Sequence, residues 1–282
     1  MTEASIIGTG TMGCGIAQAL LSSGNHVILI GRSGESAAAG LRRLAGGFDK
    51  AVSKGSITKE QKGALLNNVK LSWDMKDVAN SIIIIEAVPE VLQTKQEVLR
   101  NIEENALENA MIATNTSSIS VTALAAALKN RSRFIGLHFF NPVPVMKIVE
   151  IVNGTDTSSE TTGAARKFVE SLGKTGIEVR DSPGFVSNRI LMIYLNEAIK
   201  ALQEGIASKE GIDTIAKLGF NHPMGPLELS DFIGLDVCLD IMNEIYRQSN
   251  DAKFRPARML VDLVGMGRLG RKSGAGFYDY RK

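Results

Sequence analysis

An α/β fold is predicted for residues 1–182 and an all-α one for residues 183–282. Three observations carry the prediction. Short β-branched runs alternate with helical patterns through the first part of the chain. A glycine-rich turn joins the first strand to the first helix. Past Asp181-Ser182-Pro183-Gly184 no convincing strand follows until the last residues and long apolar-periodic helices take over, which puts a domain boundary near Arg180–Pro183.

Ala4-Ser5-Ile6-Ile7 reads as the first strand. Gly8-Thr9-Gly10-Thr11-Met12-Gly13 follows, then a helix over Ile16–Leu21 that ends near Gly24, then a second strand, Val27–Ile30. G-x-G-x-x-G thus lies between a strand and a helix inside a βαβ-sized unit, the context a dinucleotide-binding fingerprint requires. Gly8 makes the tight turn, Gly10 lets the backbone approach a pyrophosphate, and Gly13 lets the helix pack on the strand. The helix N-terminus, with free N–H groups and a favourable dipole, holds the anion beside Thr11 and Met12. The first domain is therefore read as Rossmann-type.

The end of the second strand selects the dinucleotide. An NAD site carries a carboxylate here for the ribose hydroxyls; this chain has Gly31-Arg32-Ser33. Nothing there repels a 2′-phosphate. Gly31 leaves space, Arg32 offers a bidentate contact and a stacking plane for adenine, and Ser33 adds a hydroxyl donor. NADP is favoured over NAD on this basis. A plain turn with a solvated Arg is the competing reading, and Glu35 is available to a ribose.

Ser36–Leu66 is helical in pattern, as Ala37–Ala45, Phe48–Val52 and Thr58–Leu66, with interruptions expected at Gly46-Gly47 and Gly55. Thr58-Lys59-Glu60-Gln61 resembles a capping box. The segment exceeds a minimal crossover, so a helical excursion is inserted in the fold. Arg42, Arg43, Lys50 and Lys54 lie along it, either as a solvated face or as a basic patch for a phosphorylated substrate.

Val69–Leu71 is a brief strand. Ser81–Val88 is unbroken and β-branched, as a central parallel strand buried on both faces should be; its carboxyl end carries Glu86 and Glu90, before a helix with Lys95. Met111–Thr114 ends in Asn115-Thr116-Ser117-Ser118, which either caps the next helix or supplies donors to a cofactor and a substrate oxygen. Phe134–Leu137 delivers His138. Ile148–Val152 carries Glu150, a carboxylate in an apolar strand, which needs a partner; His138 on the neighbouring strand is the candidate. A helix near Glu160–Leu172 and a strand over Gly176–Val179 complete the domain. Helices are predicted beyond it at Phe185–Leu202, Lys209–Leu218, Pro226–Phe232, Gly234–Tyr246 and Pro256–Met266.

The bulk numbers narrow the function. With 282 residues, 44% of them hydrophobic, the chain can build two cores. A formal charge of +2 gives no reason to expect nucleic acid or a membrane surface. The two cysteines, Cys14 and Cys238, are far apart, so neither disulfide scaffold nor zinc site is indicated, and no metal is expected. No signal-peptide pattern precedes the first strand, and no apolar run approaches the ~20 residues of a bilayer span. A cytoplasmic location is the expectation.

Hydride transfer from a secondary alcohol needs a proton acceptor near working pH, a carboxylate to fix its tautomer, and donors for the nascent carbonyl. His138, Glu150, Ser117 and Asn188 supply these types at strand ends, within a strand and early in a helix. His26, leading into the second strand, and His222, in the turn Asn221-His222-Pro223, have structural explanations.

Several motifs together resemble the 3-hydroxyacyl-CoA dehydrogenases across nearly the whole chain. They are Gly8–Gly13 with Ile16-Ala17-Gln18, Asn115–Ser118, His138–Lys147, Pro183–Val186 with Asn188-Arg189, His222–Pro226, and Gly270–Gly274 with Gly276-Phe277-Tyr278. The likeness is nearest to the short bacterial members that act on 3-hydroxybutyryl-CoA. It implies oxidation of an (S)-3-hydroxyacyl-CoA to the 3-oxoacyl-CoA, or the reverse. By the same resemblance His138 is the acid/base, Glu150 its partner, Ser117 a contact of the reacting oxygen and Asn188 a substrate contact from the second domain. Glu90, Lys95, Asn115, Asn141 and Lys272 fall around the cofactor, Lys50 and Lys54 near CoA, and a homodimer through the helical domain is expected. Two departures stand out: the acidic residue many members carry after the second strand is replaced by Gly31-Arg32, and a usual Ser is Thr114. The extra domain of the fused hydratase–dehydrogenases is not seen, so no hydratase activity is expected. Two rivals remain. A hydroxyacid dehydrogenase using a Lys on the second domain's first helix is disfavoured because the first Lys there is Lys200, and a non-enzymatic dinucleotide-binding relative would need a broken site.

Overall fold

The computed structural model describes residues 3–281. The chain divides into two compact units between Asp181 and Ser182.

In the first unit, β1 (Glu3–Ile7), α1 (Thr11–Ser22), β2 (His26–Ile30), α2 (Gly34–Ser53), α3 (Lys59–Leu66) and β3 (Val69–Ser72) form one half. The other half is β4 (Ile83–Glu86), α4 (Leu92–Asn105), β5 (Met111–Thr114), α5 (Val121–Ala125), β6 (Phe134–Phe139), β7 (Ile148–Asn153), α6 (Ser159–Ser171) and β8 (Thr175–Arg180). Their sheet runs β3-β2-β1-β4-β5-β6-β7-β8. Every neighbouring pair is parallel except β6 and β7. The chain order reverses between β1 and β4, so the carboxyl ends of these two strands open the crevice where such sheets take ligands. The fold is the Rossmann-type α/β domain the sequence predicts. Ile83, Ile84 and Ile85 of β4 are buried, as the unbroken β-branched run requires.

The helical excursion differs in one respect from expectation. α2 runs unbroken through Gly46-Gly47. Ala37, Gly40, Leu44 and Phe48 form a buried stripe at helical spacing, and that burial outweighs the ~1 kcal/mol that each glycine costs a helix. The capping box of α3 is formed: Gln61 N donates to Thr58 Oγ1 at 3.2 Å, and Thr58 N donates to Gln61 Oε1 at 2.8 Å.

The second unit contains α7 (Ser187–Gln203), α8 (Lys209–Gly219), α9 (Pro226–Ile233), α10 (Leu235–Ser249) and α11 (Arg258–Gly265). Met192, Leu195, Ile199, Leu227, Cys238, Met242, Ile245 and Leu260 are among its core. Two buried carboxylates order its final segment. Asp213 caps α9, accepting from Leu227 N at 2.9 Å and Glu228 N at 3.0 Å, and also takes the Tyr278 hydroxyl at 2.8 Å. Asp231 accepts from Phe277 N and Tyr278 N, both at 2.9 Å. Among the described residues no helix is long and apolar enough to cross a membrane.

Candidate active site

The three glycines of the turn sit in different surroundings. Gly8 has φ +115°, and a Cβ on it would come within 2.5 Å of Ala87 O. A Cβ on Gly13 would lie 1.9 Å from Gly8 O, so helix α1 can start this close to the turn only as glycine. At Gly10 a Cβ would meet nothing within 4 Å, which leaves the side of the turn before α1 open to a ligand. The first turn of α1 holds no acidic residue and Gly10 makes no side-chain cap, so backbone N–H groups and dipole face that opening uncontested. Arg43 on α2 donates to Thr9 O and fixes the turn from behind. These features fit a pyrophosphate.

Beside the turn, Gly8 N donates to Ile30 O at 2.9 Å, which ties it to the end of β2. Arg32 there is exposed and has no hydrogen-bond or ion-pair partner among the described residues. Ser33 is the N-cap of α2, its hydroxyl accepting from Ser36 N at 3.2 Å. The space at Gly31 has another owner than a phosphate. A Cβ there would sit 2.6 Å from Ala37 N, so the glycine is required for α2 to fold back against β2.

At the carboxyl ends of β4 and β5 lies a buried ionic network. Lys95 Nζ, from α4, donates to Glu86 Oε1 at 2.8 Å and lies 3.3 Å from Glu90 Oε2. Glu86 and Lys95 are sealed from solvent at 0% and 1% exposure, so each charge needs the other. Thr114 Oγ1 donates to Glu86 Oε2 at 2.7 Å. The hydroxyl that serine would supply is retained, which gives the Thr114 departure a physical account. Glu90 Oε1 in turn accepts from Thr116 Oγ1 at 2.5 Å, Ser117 N at 2.9 Å, and Ser118 N and Oγ, both at 3.1 Å. Burial pushes the Glu90 carboxyl up, but the Lys95 charge and these donors outweigh it and hold it below the usual carboxylate range. Glu90 thereby shapes the turn that carries Ser117.

His138 and Glu150 are directly paired across β6 and β7. His138 Nδ1 lies 2.7 Å from Glu150 Oε2, with His138 8% and Glu150 3% exposed. The carboxylate accepts, so the proton of this bond belongs to Nδ1. The Phe140 ring tilts against the imidazole at 4.7 Å between centroids. Asn115 Oδ1 accepts from Phe139 N at 3.0 Å and holds the end of β5 against that of β6. Both strands are parallel, and so bring Ser117 and His138 to one edge.

A groove of about 790 Å³ runs between α1, α2 and the segment after β6, lined by Thr11, Gln18, Arg43, Lys50, Lys54 and Asn141 among others. Lys50 and Lys54 thus line the same groove as Asn141. Lys174, 9% exposed, fastens that segment by donating to Val143 O at 2.7 Å and Met146 O at 2.6 Å. Burial pushes its amine below the usual lysine range.

The two site residues predicted in the second unit are placed within it. Asn188 is buried in the first turn of α7. Lys272, in the turn Arg271–Ser273, pairs with Asp236 at 2.6 Å. Sequence reasoning named Glu86 without giving it a role, though it carries the signal that singled out Glu150, a carboxylate closing an apolar strand. Arg43 was weighed only as one member of a charged face, and nothing in the sequence marks Lys174. No group of three potential metal ligands occurs among the described residues.

A glycine turn at a sheet's switch point, with a histidine–carboxylate pair along the same sheet, is the architecture of a nicotinamide-dependent oxidoreductase. The family model described as 3-hydroxyacyl-CoA dehydrogenase, NAD binding domain, matches residues 3–182, and that described as its C-terminal domain matches residues 184–280. The probable 3-hydroxybutyryl-CoA dehydrogenase of Bacillus subtilis (strain 168) is 43% identical over 277 residues, covering 98% of this chain and 96% of its own. The 3-hydroxybutyryl-CoA dehydrogenase of Clostridioides difficile is also 43% identical over 277 residues, covering 98% and 99%. The crystal structure of (S)-3-hydroxybutyryl-CoA dehydrogenase PaaH1 from Ralstonia eutropha matches with a TM-score of 0.96 at 44% identity, covering 100% of both chains. The chain belongs to the 3-hydroxyacyl-CoA dehydrogenase family. It is an enzyme of that family working with a nicotinamide cofactor, and a CoA thioester substrate is consistent with that membership.

Proposed function

We propose that this enzyme interconverts (S)-3-hydroxybutyryl-CoA, or a close short-chain homologue, and acetoacetyl-CoA, with His138 as general acid/base and NADP(H) as the favoured cofactor. The observation that carries the reading is the buried His138–Glu150 pair at 2.7 Å on a dinucleotide-binding sheet. Bound nicotinamide supplies the acceptor for the C3 hydride in oxidation and the donor in reduction.

The protein's own part is proton transfer and positioning. With Nδ1 committed to Glu150, exchange with the substrate falls to Nε2 of His138. In oxidation Nε2 takes the hydroxyl proton as the C3 hydrogen leaves with its electron pair, and the C–O bond becomes a carbonyl. The Glu150 carboxylate stabilises the imidazolium so formed; in reduction the same proton returns to the oxygen. Ser117, on the turn pinned by Glu90, donates to the reacting oxygen, and Asn188 is assigned the contact from the second unit. Lys50 and Lys54 offer cationic partners for CoA phosphates along their groove.

Gly8, Gly10, Thr11, Met12 and Gly13 are assigned to the pyrophosphate, and Asn141 and Lys272 to the surroundings of the cofactor. Glu90, Lys95 and Asn115 serve the cofactor edge through the network that shapes it. Support for NADP comes from unpartnered Arg32, the Ser33 cap and the absence of a carboxylate at residues 31–33. NAD is the second reading, favoured by exposed Glu35 in the first turn of α2. A cytoplasmic homodimer completes the proposal. Purified protein given acetoacetyl-CoA with NADPH and NADH side by side should consume the reduced cofactor, NADPH at the higher kcat/KM. No turnover with either would sink the enzyme reading; equal or better use of NADH would remove the NADP preference.

A further inference from the structure

The geometry points to Trp73 as an aromatic platform for the adenine of the nicotinamide dinucleotide. The inference rests on the dinucleotide-dependent reading above and adds a residue to it.

Trp73 is the only tryptophan in the sequence, and it is 65% exposed. An exposed indole offers a broad, rigid face for stacking. Its place gives that face a use. It follows Ser72, the last residue of β3, and Gly31 N donates to Ser72 O at 2.9 Å, so the ends of β2 and β3 are locked side by side. The same end of β2 is bound to the glycine turn through Gly8 N and Ile30 O. Phosphate turn, Arg32 and Trp73 therefore occupy one carboxyl edge of three adjacent parallel strands, where ligands of such sheets bind. The ring is also seated rather than adrift. A methyl placed on Gly34, the first residue of α2, would meet it at 3.5 Å, so the helix start supports one part of the ring while the rest stays exposed.

The CoA also carries an adenine, but the cationic groove lies elsewhere. Gly34 and Lys50 are 16 residues apart on α2, about 24 Å at helical rise. Trp73 marks one end of the helix and the lysines the other.

The single tryptophan makes the test direct. Trp73 emission is followed while the full-length protein is titrated with AMP, adenosine 2′,5′-bisphosphate, adenosine 3′,5′-bisphosphate and nicotinamide mononucleotide. Emission should change with AMP and the 2′,5′-bisphosphate and stay flat with the mononucleotide. Calorimetry should show Trp73→Ala binding the 2′,5′-bisphosphate about tenfold more weakly, with Trp73→Phe recovering most of the loss, since base–aromatic stacking is of that size. Flat emission with the adenosine ligands, or equal affinity in the alanine variant, overturns the platform. A stronger response to the 3′,5′-bisphosphate than to AMP overturns it in favour of the CoA end. Binding of intact NADPH to the wild type, measured by its own fluorescence, separates the two failures. If neither NADPH nor NADH, followed in the same way, binds, the functional reading falls; if either binds, a silent Trp73 removes only this inference.

Discussion

His138 shows how much chemistry one cross-strand pair can set. The antiparallel register puts His138 opposite Glu150, and the apolar walls of both strands keep water from competing for the bond. The ring is thus held in one tautomer before any substrate arrives. His138→Gln keeps a polar side chain but cannot carry the proton, so kcat for acetoacetyl-CoA reduction should fall by a factor of ~10² or more. Near-normal turnover in a stopped assay would remove His138 as the acid/base. Glu150→Gln leaves the histidine in place without its charge partner, and should lower kcat while sparing the fold. Arg32 decides a different question at the same scale. If its unpartnered guanidinium answers to a 2′-phosphate, Arg32→Ala should raise KM for NADPH about tenfold and leave KM for NADH within a factor of about two, an Arg–phosphate pair being charge-assisted and bidentate. A parallel rise in both would make Arg32 a general adenosine contact.

At the scale of elements, Lys95 of α4 ties the strand ends of β4 and β5 together through Glu86. Its removal leaves Glu86 a buried charge with no cation, at a cost of ~3–5 kcal/mol. Urea unfolding of Lys95→Met should register that loss, whereas the double variant Glu86→Gln/Lys95→Met should recover part of it. Glu90 adds a pH signature. Its folded-state value lies below the ordinary carboxylate value of 4.5, so the stability it contributes is fully present above that pH and drains as pH falls toward the lower folded value. Glu90→Gln should flatten the acid limb of a stability-against-pH curve below about pH 4.5; an unchanged slope would mean that Glu90 is not the sensor. This network also marks where sequence reading stops. Strands such as Ile83–Glu86 and the His138–Glu150 pairing are legible because burial on both faces, or a lone carboxylate in an apolar strand, leaves few physical solutions. Glu86 with Lys95 is nine residues of loop and helix away from being obvious, since nothing local says that the helix turns that lysine inward. Gly31 was legible as important and misread as to reason. Space beside a glycine looks the same in sequence whether a phosphate or the backbone of Ala37 fills it. Gly46-Gly47 likewise looked like a break, because propensity is local while the buried stripe through Leu44 and Phe48 is not.

At the scale of the whole molecule, each unit has a core of its own, and the family models divide at the same place, at residues 182 and 184. The outer surface of the helical unit is less self-sufficient. On and around α8, Ile206, Ile215, Leu218 and Phe220 are 72%, 56%, 83% and 61% exposed, a concentration of large apolar side chains that a soluble monomer seldom leaves in water. Ile215 and Leu218 are three residues apart on α8 and so share one face of it. A self-complementary contact through that face would cover them with one two-fold operation, the commonest closed symmetry of soluble oligomers. Light scattering on the purified protein should therefore give about twice the 30.3 kDa chain mass. Leu218→Asp puts a charge at the most exposed of these positions without touching either core, and should shift the mass to that of one chain while the far-ultraviolet dichroism stays helical. A dimer that survives the aspartate would locate the interface away from α8, and a wild-type monomer would leave the apolar face without a second copy to cover it.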